Sequence, residues 1–135
     1  MKKYLTIMSV LLMALFVAAI FTQCKKDPVC DLILRVNKTV DGLTAAEPVK
    51  GAHVKVGIPE NYADFAKAEG YTNSQGVFTH TFKYECLLDA EVTYQESFED
   101  ADGNTITIDY QGNARVKLNP NETTEAVVLL IPSSK

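Results

Sequence analysis

The segment VFTHTFKYEC, residues 77–86, decides the fold class, because its apolar and polar side chains alternate with the two-residue period of a β-strand. One face of this strand carries Phe78, His80, Phe82, Tyr84 and Cys86. The other face carries threonines and charged residues. We expect the first face to pack into a core and the second to meet solvent.

The same alternation continues on both sides of this segment. The further segments that show it are 30–36, 49–58, 88–94, 106–110 and 114–118. Ala126 to Ile131 is instead continuously apolar, which predicts a strand covered on both faces. Short strands separated by frequent turn signals, with no long helix, predict an all-β sandwich of about seven strands.

Polar stretches that contain glycine, proline or asparagine separate the predicted strands. Residues 38–48 predict a loop, and residues 99–104 and 119–122 predict turns. Residues 60–70 fit either a short helix after Pro59 or a strand entering a turn at 73–76. Between these alternatives we favour a short helical or irregular insert followed by a strand.

Two of the segments carry a family resemblance. PVKGAHVKV, residues 48–56, and TNSQGVF, residues 72–78, are similar to a strand and a hairpin of the carboxypeptidase regulatory-like, or transthyretin-like (prealbumin-like), domains. The resemblance implies an Ig-like or transthyretin-like sandwich. It also implies an accessory, adhesive or structural role without catalysis, although fold and function are separate questions.

The N-terminus has the layout of an export signal. Lys2 and Lys3 precede an uncharged apolar run from Leu5 to Phe21, and Cys24 follows shortly after it. The segment resembles the signal of bacterial lipoproteins, in which the cysteine becomes the first mature residue and carries acyl groups. An uncleaved membrane anchor and ordinary secretion are the alternatives. We predict a signal-peptide helix at 1–23, lipidation of Cys24, a tether at 24–29 and a β-sandwich domain at 30–135.

A lipid at Cys24 would hold the domain on the membrane without a spanning helix, because each buried methylene contributes about 0.8 kcal/mol. The predicted location is the outer membrane, facing the periplasm or the cell surface. Removal of residues 1–23 leaves 112 of the 135 residues, with 11 basic against 17 acidic side chains and a net charge of −6. This charge argues against nucleic acid as a partner.

Cys30 and Cys86 are the two cysteines beyond Cys24. An exported chain can keep a disulfide between them, and closing a loop of this length would contribute about 4 kcal/mol by the loop-entropy estimate. Free cysteines also behave as small buried hydrophobes. We favour two free thiols and keep the disulfide as the alternative.

The sequence offers no constellation for catalysis. Ser74 lies in a predicted turn, the two histidines are scattered, and no glycine-rich phosphate loop is present, so we predict neither an enzyme nor a cofactor. The spacing of the histidines and cysteines does not suit zinc. Weak calcium candidates are Asp100, Asp102 and Asn104, although such residues are also ordinary turn formers.

Aromatic side chains provide the remaining candidate contacts. We expect core packing for Tyr84, Tyr94 and Tyr110, which are in register with apolar faces, and ligand contacts for Tyr62, Phe65 and Tyr71, which surround the irregular insert. The sequence thus predicts a lipid-anchored, non-enzymatic envelope module that binds or assembles with a protein or glycan partner. The alternatives are a structural or adhesin subunit that pairs through a sheet edge, and a carbohydrate- or calcium-binding module.

Overall fold

The computed structural model describes residues 27–39, 46–57 and 63–133, and within them every long element is a β-strand. The strands are β1 Cys30–Lys38, β2 Glu47–Pro48, β3 His53–Val56, β4 Ala68–Tyr71, β5 Val77–Phe82, β6 Cys86–Glu99, β7 Thr105–Leu118 and β8 Thr123–Pro132. The prediction of an all-β fold is therefore confirmed. In the part of the chain that is described, no helix has the length and apolarity needed to cross a membrane.

The strands form two facing layers that are joined into one curled sheet. The order is β2-β1-β8-β7-β6-β3-β4, and β5 also pairs with β1. One layer therefore holds β5, β1, β8 and β2, and the other holds β4, β3, β6 and β7. The layers are continuous where β7 meets β8 through Tyr110–Pro132 and Gln111–Ile131. The result is the predicted sandwich, with eight strands in the described residues against the seven or so expected.

The core lies between the layers and is built from alternate residues of each long strand. In β1 the buried residues are Cys30, Leu32, Leu34 and Val36, as the alternation predicts. They face Val54, Val56, Leu88, Ala90 and Val92 from β3 and β6 within one hydrophobic cluster. Burial of this apolar surface is the main stabilising contribution to the fold, at about 25 cal/mol per Å².

The predicted turn at 73–76 is confirmed. The Asn73 side-chain oxygen accepts hydrogen bonds from the backbone N–H groups of Gln75 and Val77. Gly76 has φ +70°, and a Cβ there would lie 2.7 Å from the Val36 carbonyl oxygen. Only glycine meets both conditions, because it tolerates positive φ and leaves room for β1.

Residues 63–71 combine the two alternatives left open by the sequence. A 3₁₀ turn spans Asp64–Ala66, and β4 follows directly at Ala68. This matches the favoured interpretation of a short helical or irregular insert followed by a strand. Residues 58–62 lie outside the described part of the chain.

The prediction that Ala126 to Ile131 is covered on both faces is wrong. Val128 and Leu130 are fully buried, whereas Val127, Leu129 and Ile131 are exposed. The strand also lies between β1 and β7, so it is not a free sheet edge. Its continuous apolarity therefore reflects one buried face and one apolar outer face.

Further boundaries differ from the sequence interpretation. The strand predicted at 49–58 is β3 at His53–Val56, and the strand predicted at 88–94 is β6 at Cys86–Glu99, so Cys86 does not lie on the strand of Phe78. β5 ends at Phe82, so Tyr84 is not on the strand face with Phe78 and is exposed. His80 is also exposed, although it lies within β5. Residues 106–110 and 114–118, predicted as two strands, form the single strand β7. Glu47–Pro48, predicted as loop, is the short strand β2.

The two ends of the sandwich are different. At one end, here called the tether end, residues 27–29 enter β1, and the Val29 carbonyl accepts a hydrogen bond from Asn121 N–H in the turn before β8. β6 begins at this same end, where Cys86 pairs with Leu118. Since β6 has 14 residues at about 3.4 Å each, its far end lies roughly 45 Å away.

Candidate functional site

The far part of the β6–β7 hairpin, residues 94–110, extends past its neighbouring strands and is here called the ribbon. β3 pairs with β6 only as far as Thr93, and β8 reaches β7 only at Tyr110 and Gln111. Beyond these residues, no other described strand pairs with either side of the ribbon. The Asp109 carbonyl accepts a hydrogen bond from Ser133 N–H, and the other outer backbone groups of the two strands have no partner strand among the described residues, so they are open for pairing with another chain.

One face of the ribbon is apolar and partly open. The cross-strand pairs on this face are Tyr94–Tyr110, Glu96–Ile108 and Phe98–Ile106. Phe98 is 46% exposed and Ile106 is 39% exposed. Both continue the series of alternate residues that face the core in the part of the hairpin nearer the tether end. The opposite face is polar, with hydrogen bonds between Gln95 and Asp109 and between Ser97 and Thr107. The ribbon thus presents an apolar surface next to open strand edges.

A lysine fixes the base of the ribbon to the end of β1. Lys38 Nζ lies 2.8 and 2.7 Å from the two carboxylate oxygens of Glu96. The same ammonium lies 5.9 Å from the ring centroid of Tyr94 and 5.8 Å from that of Tyr110, within cation–π range. The hydrogen bonds to Glu96 raise the pKa of Lys38 above its ordinary value. We call this cluster the latch.

The Lys38→Met variant is expected to lower the free energy of unfolding by about 1 kcal/mol at pH 8, because the Glu96 carboxylate loses its partner at a partly buried site. A lysine whose pKa is higher in the folded state stabilises the fold at pH values below its unfolded pKa of about 10.4. This contribution disappears as the pH rises through the higher folded value. Urea unfolding at pH 8 measures the loss.

The Arg35→Met variant is the matched control for this experiment. Arg35 and Glu125 form an ion pair at 3.5 Å, but both side chains are more than half exposed. Exposed pairs contribute little, so this variant should lose less than about 0.5 kcal/mol. Equal losses for the two variants would show that the latch has no special role.

The predicted aromatic ligand contacts do not come together in one site. Tyr62 lies outside the described residues. Phe65 and Tyr71 are both exposed but contact different partners: Phe65 packs edge-to-face on Tyr84 at 5.1 Å, and Tyr71 stacks on His53 at 5.1 Å. Tyr84, predicted to be in the core, is 57% exposed because the chain turns after β5. Tyr110 is buried and Tyr94 is half-buried, as predicted.

A shallow groove lies beside the stack of Tyr71 on His53. Its volume is about 560 Å³, and its lining includes His53, Thr93, Gln95, Asp109 and Gln111. His53 is held by a 2.7 Å contact between its Nε2 and Glu69. The groove therefore combines amide, hydroxyl and carboxylate groups with a nearby exposed aromatic ring.

The two cysteines lie at the tether end, and the structure records both as free thiols. Burial raises the pKa of the Cys30 thiol and of the Cys86 thiol. The neighbouring Cys30 also raises the pKa of Cys86, which indicates that the two side chains are near each other. A raised pKa slows thiolate chemistry, and the disulfide stays a prediction.

The acidic turn at the tip of the ribbon uses its carboxylate for the backbone. One Asp100 carboxylate oxygen accepts hydrogen bonds from the N–H groups of Asp102 and Asn104, and the other accepts one from the Asn104 side chain. These bonds lower the pKa of Asp100. Within the described ranges, no group of three or more metal-ligating side chains is present. Calcium binding at this turn stays a weak prediction.

No known protein family and no curated protein matches the sequence. Among solved structures, the chain is similar to the shaft pilin SpaA from Lactobacillus rhamnosus GG, with 13% identity over 78% of this chain and a TM-score of 0.43. A point mutant of the same pilin gives 13% identity and a TM-score of 0.41. The chain spans about half the length of these pilin chains.

Proposed function

We propose that this chain is a lipid-anchored, non-enzymatic domain of the cell envelope that uses the ribbon to assemble with another protein. In this proposal Cys24 carries the lipid, and the domain stands on the outer membrane at the end of a short tether. Its role is that of a structural or adhesin-like subunit. The partner contributes an extended strand and an apolar surface.

The observation that carries the proposal is the open ribbon. A two-stranded hairpin without neighbouring strands is marginally stable in water. The ribbon also exposes the apolar side chains of Phe98 and Ile106. A partner strand would satisfy the unpaired edge and cover this apolar face, as in recognition by β-strand addition. The acidic tip, with Glu99, Asp100 and Asp102, favours a partner segment that carries lysine or arginine.

The position of the tether supports the same role. Residues 27–29 enter the sandwich at the end opposite the ribbon. If Cys24 is held in the membrane, the ribbon is the part of the described domain that lies farthest along the sandwich from the anchor. An interaction element gains access to partners in this position, whereas an element at the tether end would be shielded.

Site-specific photo-crosslinking in intact cells tests the proposal. A photoreactive phenylalanine analogue in place of Phe98 is expected to give a discrete adduct, and Ile106→Glu in the same chain is expected to remove it. The matched control is the same analogue at Leu87, which is 53% exposed on the same strand near the tether end. An absence of adducts at Phe98, or equal adducts at both positions, would contradict an assembly role for the ribbon.

Glycan binding is the second candidate function, and the groove beside Tyr71 favours it. Tyr71 is 69% exposed, and the groove beside it is lined by Thr93 and Gln111. Flat aromatic rings and planar amides are suited to sugar faces and hydroxyl groups. Saturable binding on a glycan array that is lost in Tyr71→Ala would support this role; no binding to any glycan would remove it.

A further inference from the structure

The tether end carries a pair of exposed aromatic side chains that the assembly role does not use. Phe65 comes from the 3₁₀ turn before β4, and Tyr84 comes from the turn between β5 and β6. Each is 57% exposed, and their rings meet edge-to-face with centroids 5.1 Å apart. Two separate turns therefore bring together one apolar surface patch.

This pair lies directly beside the tether. Tyr84 and Lys83 line a cavity of about 560 Å³ together with Asp27, Pro28 and Val29. Cys24 is four residues before Pro28, and a chain of four residues spans at most about 14 Å. A lipid on Cys24 would therefore keep the pair close to the headgroups of the bilayer.

The charges around the pair indicate which lipid surface it fits. The charged residues next to Phe65 and Tyr84 along the described chain are Lys67 and Lys83, which are basic, and Asp64 and Glu85, which are acidic. This balance gives no net attraction to anionic headgroups. Tyrosine, whose ring has one polar end, prefers the membrane–water interface for reasons that do not depend on lipid charge, and the adjoining Phe65 ring adds apolar area to the contact.

We propose that Phe65 and Tyr84 form a membrane-contact site that seats the tether end of the domain in the interfacial layer of a zwitterionic bilayer. This inference rests on the lipid anchor of the proposed function. The contact holds the long axis of the sandwich upright, so that the ribbon points away from the membrane. Without it, the lipid anchor alone would not fix the orientation of the domain.

The absence of tryptophan from the chain makes a direct test possible. Tyr84→Trp and Phe65→Trp are prepared separately in the full-length lipidated protein, which is reconstituted into phosphatidylcholine vesicles with brominated acyl chains. In brominated vesicles both probes are expected to lose most of the fluorescence that they show in unbrominated vesicles. Their emission in vesicles is also expected to lie at shorter wavelength than in detergent-free buffer. The control is Tyr71→Trp, which replaces a ring that is 69% exposed. Tyr71 pairs with His53 of β3, and His53 pairs in turn with Thr93 of β6.

The outcomes separate the membrane contact from the anchor. Vesicle flotation with quenching at Tyr84→Trp and Phe65→Trp, but not at Tyr71→Trp, supports the contact site. Flotation with equal or absent quenching at all three positions overturns the contact site and leaves the anchor in place. Failure of the wild-type chain to float overturns the anchor, and the contact site falls with it.

Discussion

Leu130→Ala is expected to lower the free energy of unfolding by about 2–5 kcal/mol, whereas Leu129→Ala, one residue earlier on β8, should cost less than about 1 kcal/mol. Leu130 is fully buried and its truncation leaves a cavity in the core. Leu129 is 44% exposed, so little apolar surface returns to water when it is shortened. Urea unfolding monitored by circular dichroism measures both values.

This pair of variants also tests the correction to the sequence interpretation of β8. A strand covered on both faces would lose similar stability at the two positions. Equal losses of several kcal/mol would therefore mean that the outer face is covered, either by another part of the chain or by a second copy. A dependence of the Leu129→Ala loss on protein concentration would identify the second copy.

Gly112→Ala is expected to destabilise the fold by about 1–3 kcal/mol, or to displace β8 from β7. A Cβ at this position would lie 2.6 Å from the Leu129 carbonyl oxygen and 2.9 Å from a methyl of Val128. The backbone oxygen cannot rotate away, so the strand itself must move. Thermal unfolding and the near-ultraviolet circular dichroism of the tyrosines report the loss of stability and any change in packing.

Gly103→Ala is the control for this experiment. Gly103 lies in the turn at the tip of the ribbon with φ +81°, and a Cβ there has open space around it. The substitution brings only the cost of a positive φ, about 1 kcal/mol. A loss at Gly112 no larger than the loss at Gly103 would contradict the close approach of β7 and β8.

Gly112 also lies between the two short strands that the sequence interpretation placed within β7. The alternation Ile106, Ile108, Tyr110 continues through Ala114, Val116 and Leu118 if a glycine is accepted at the core-facing position between them. The sequence interpretation divided this stretch into two short strands, 106–110 and 114–118. The glycine is instead required by the crossing of β8, a long-range contact that local periodicity does not contain.

The layout of the sandwich could be predicted because it depends on local patterns. The buried residues of β1 and β3, the turn at 73–76 and the order of helical insert and strand at 63–71 all follow from period-two alternation and turn chemistry. The position of Tyr84 could not be predicted, because one turn after Phe82 changes its register. The ribbon depends on where β3 and β8 stop, and neither end is marked in β6 or β7 themselves.

The candidate sites were predicted less well than the fold. Phe65 and Tyr71 are exposed aromatics, as expected for ligand contacts, but they lie in different places and contact different rings. The partner of Phe65 is Tyr84, which we had assigned to the core. Lys38, which holds the ribbon through Glu96, has no distinguishing feature in the sequence because the two residues are 58 positions apart.

Metabolic labelling with a palmitate analogue tests the central claim of a lipid-held β-domain most directly. Growing cells that express the wild-type chain are expected to give a labelled protein in the membrane fraction. Cys24→Ser should give an unlabelled chain that keeps the circular-dichroism spectrum of a β-protein. An unlabelled wild-type chain, or full labelling of Cys24→Ser, would contradict the account.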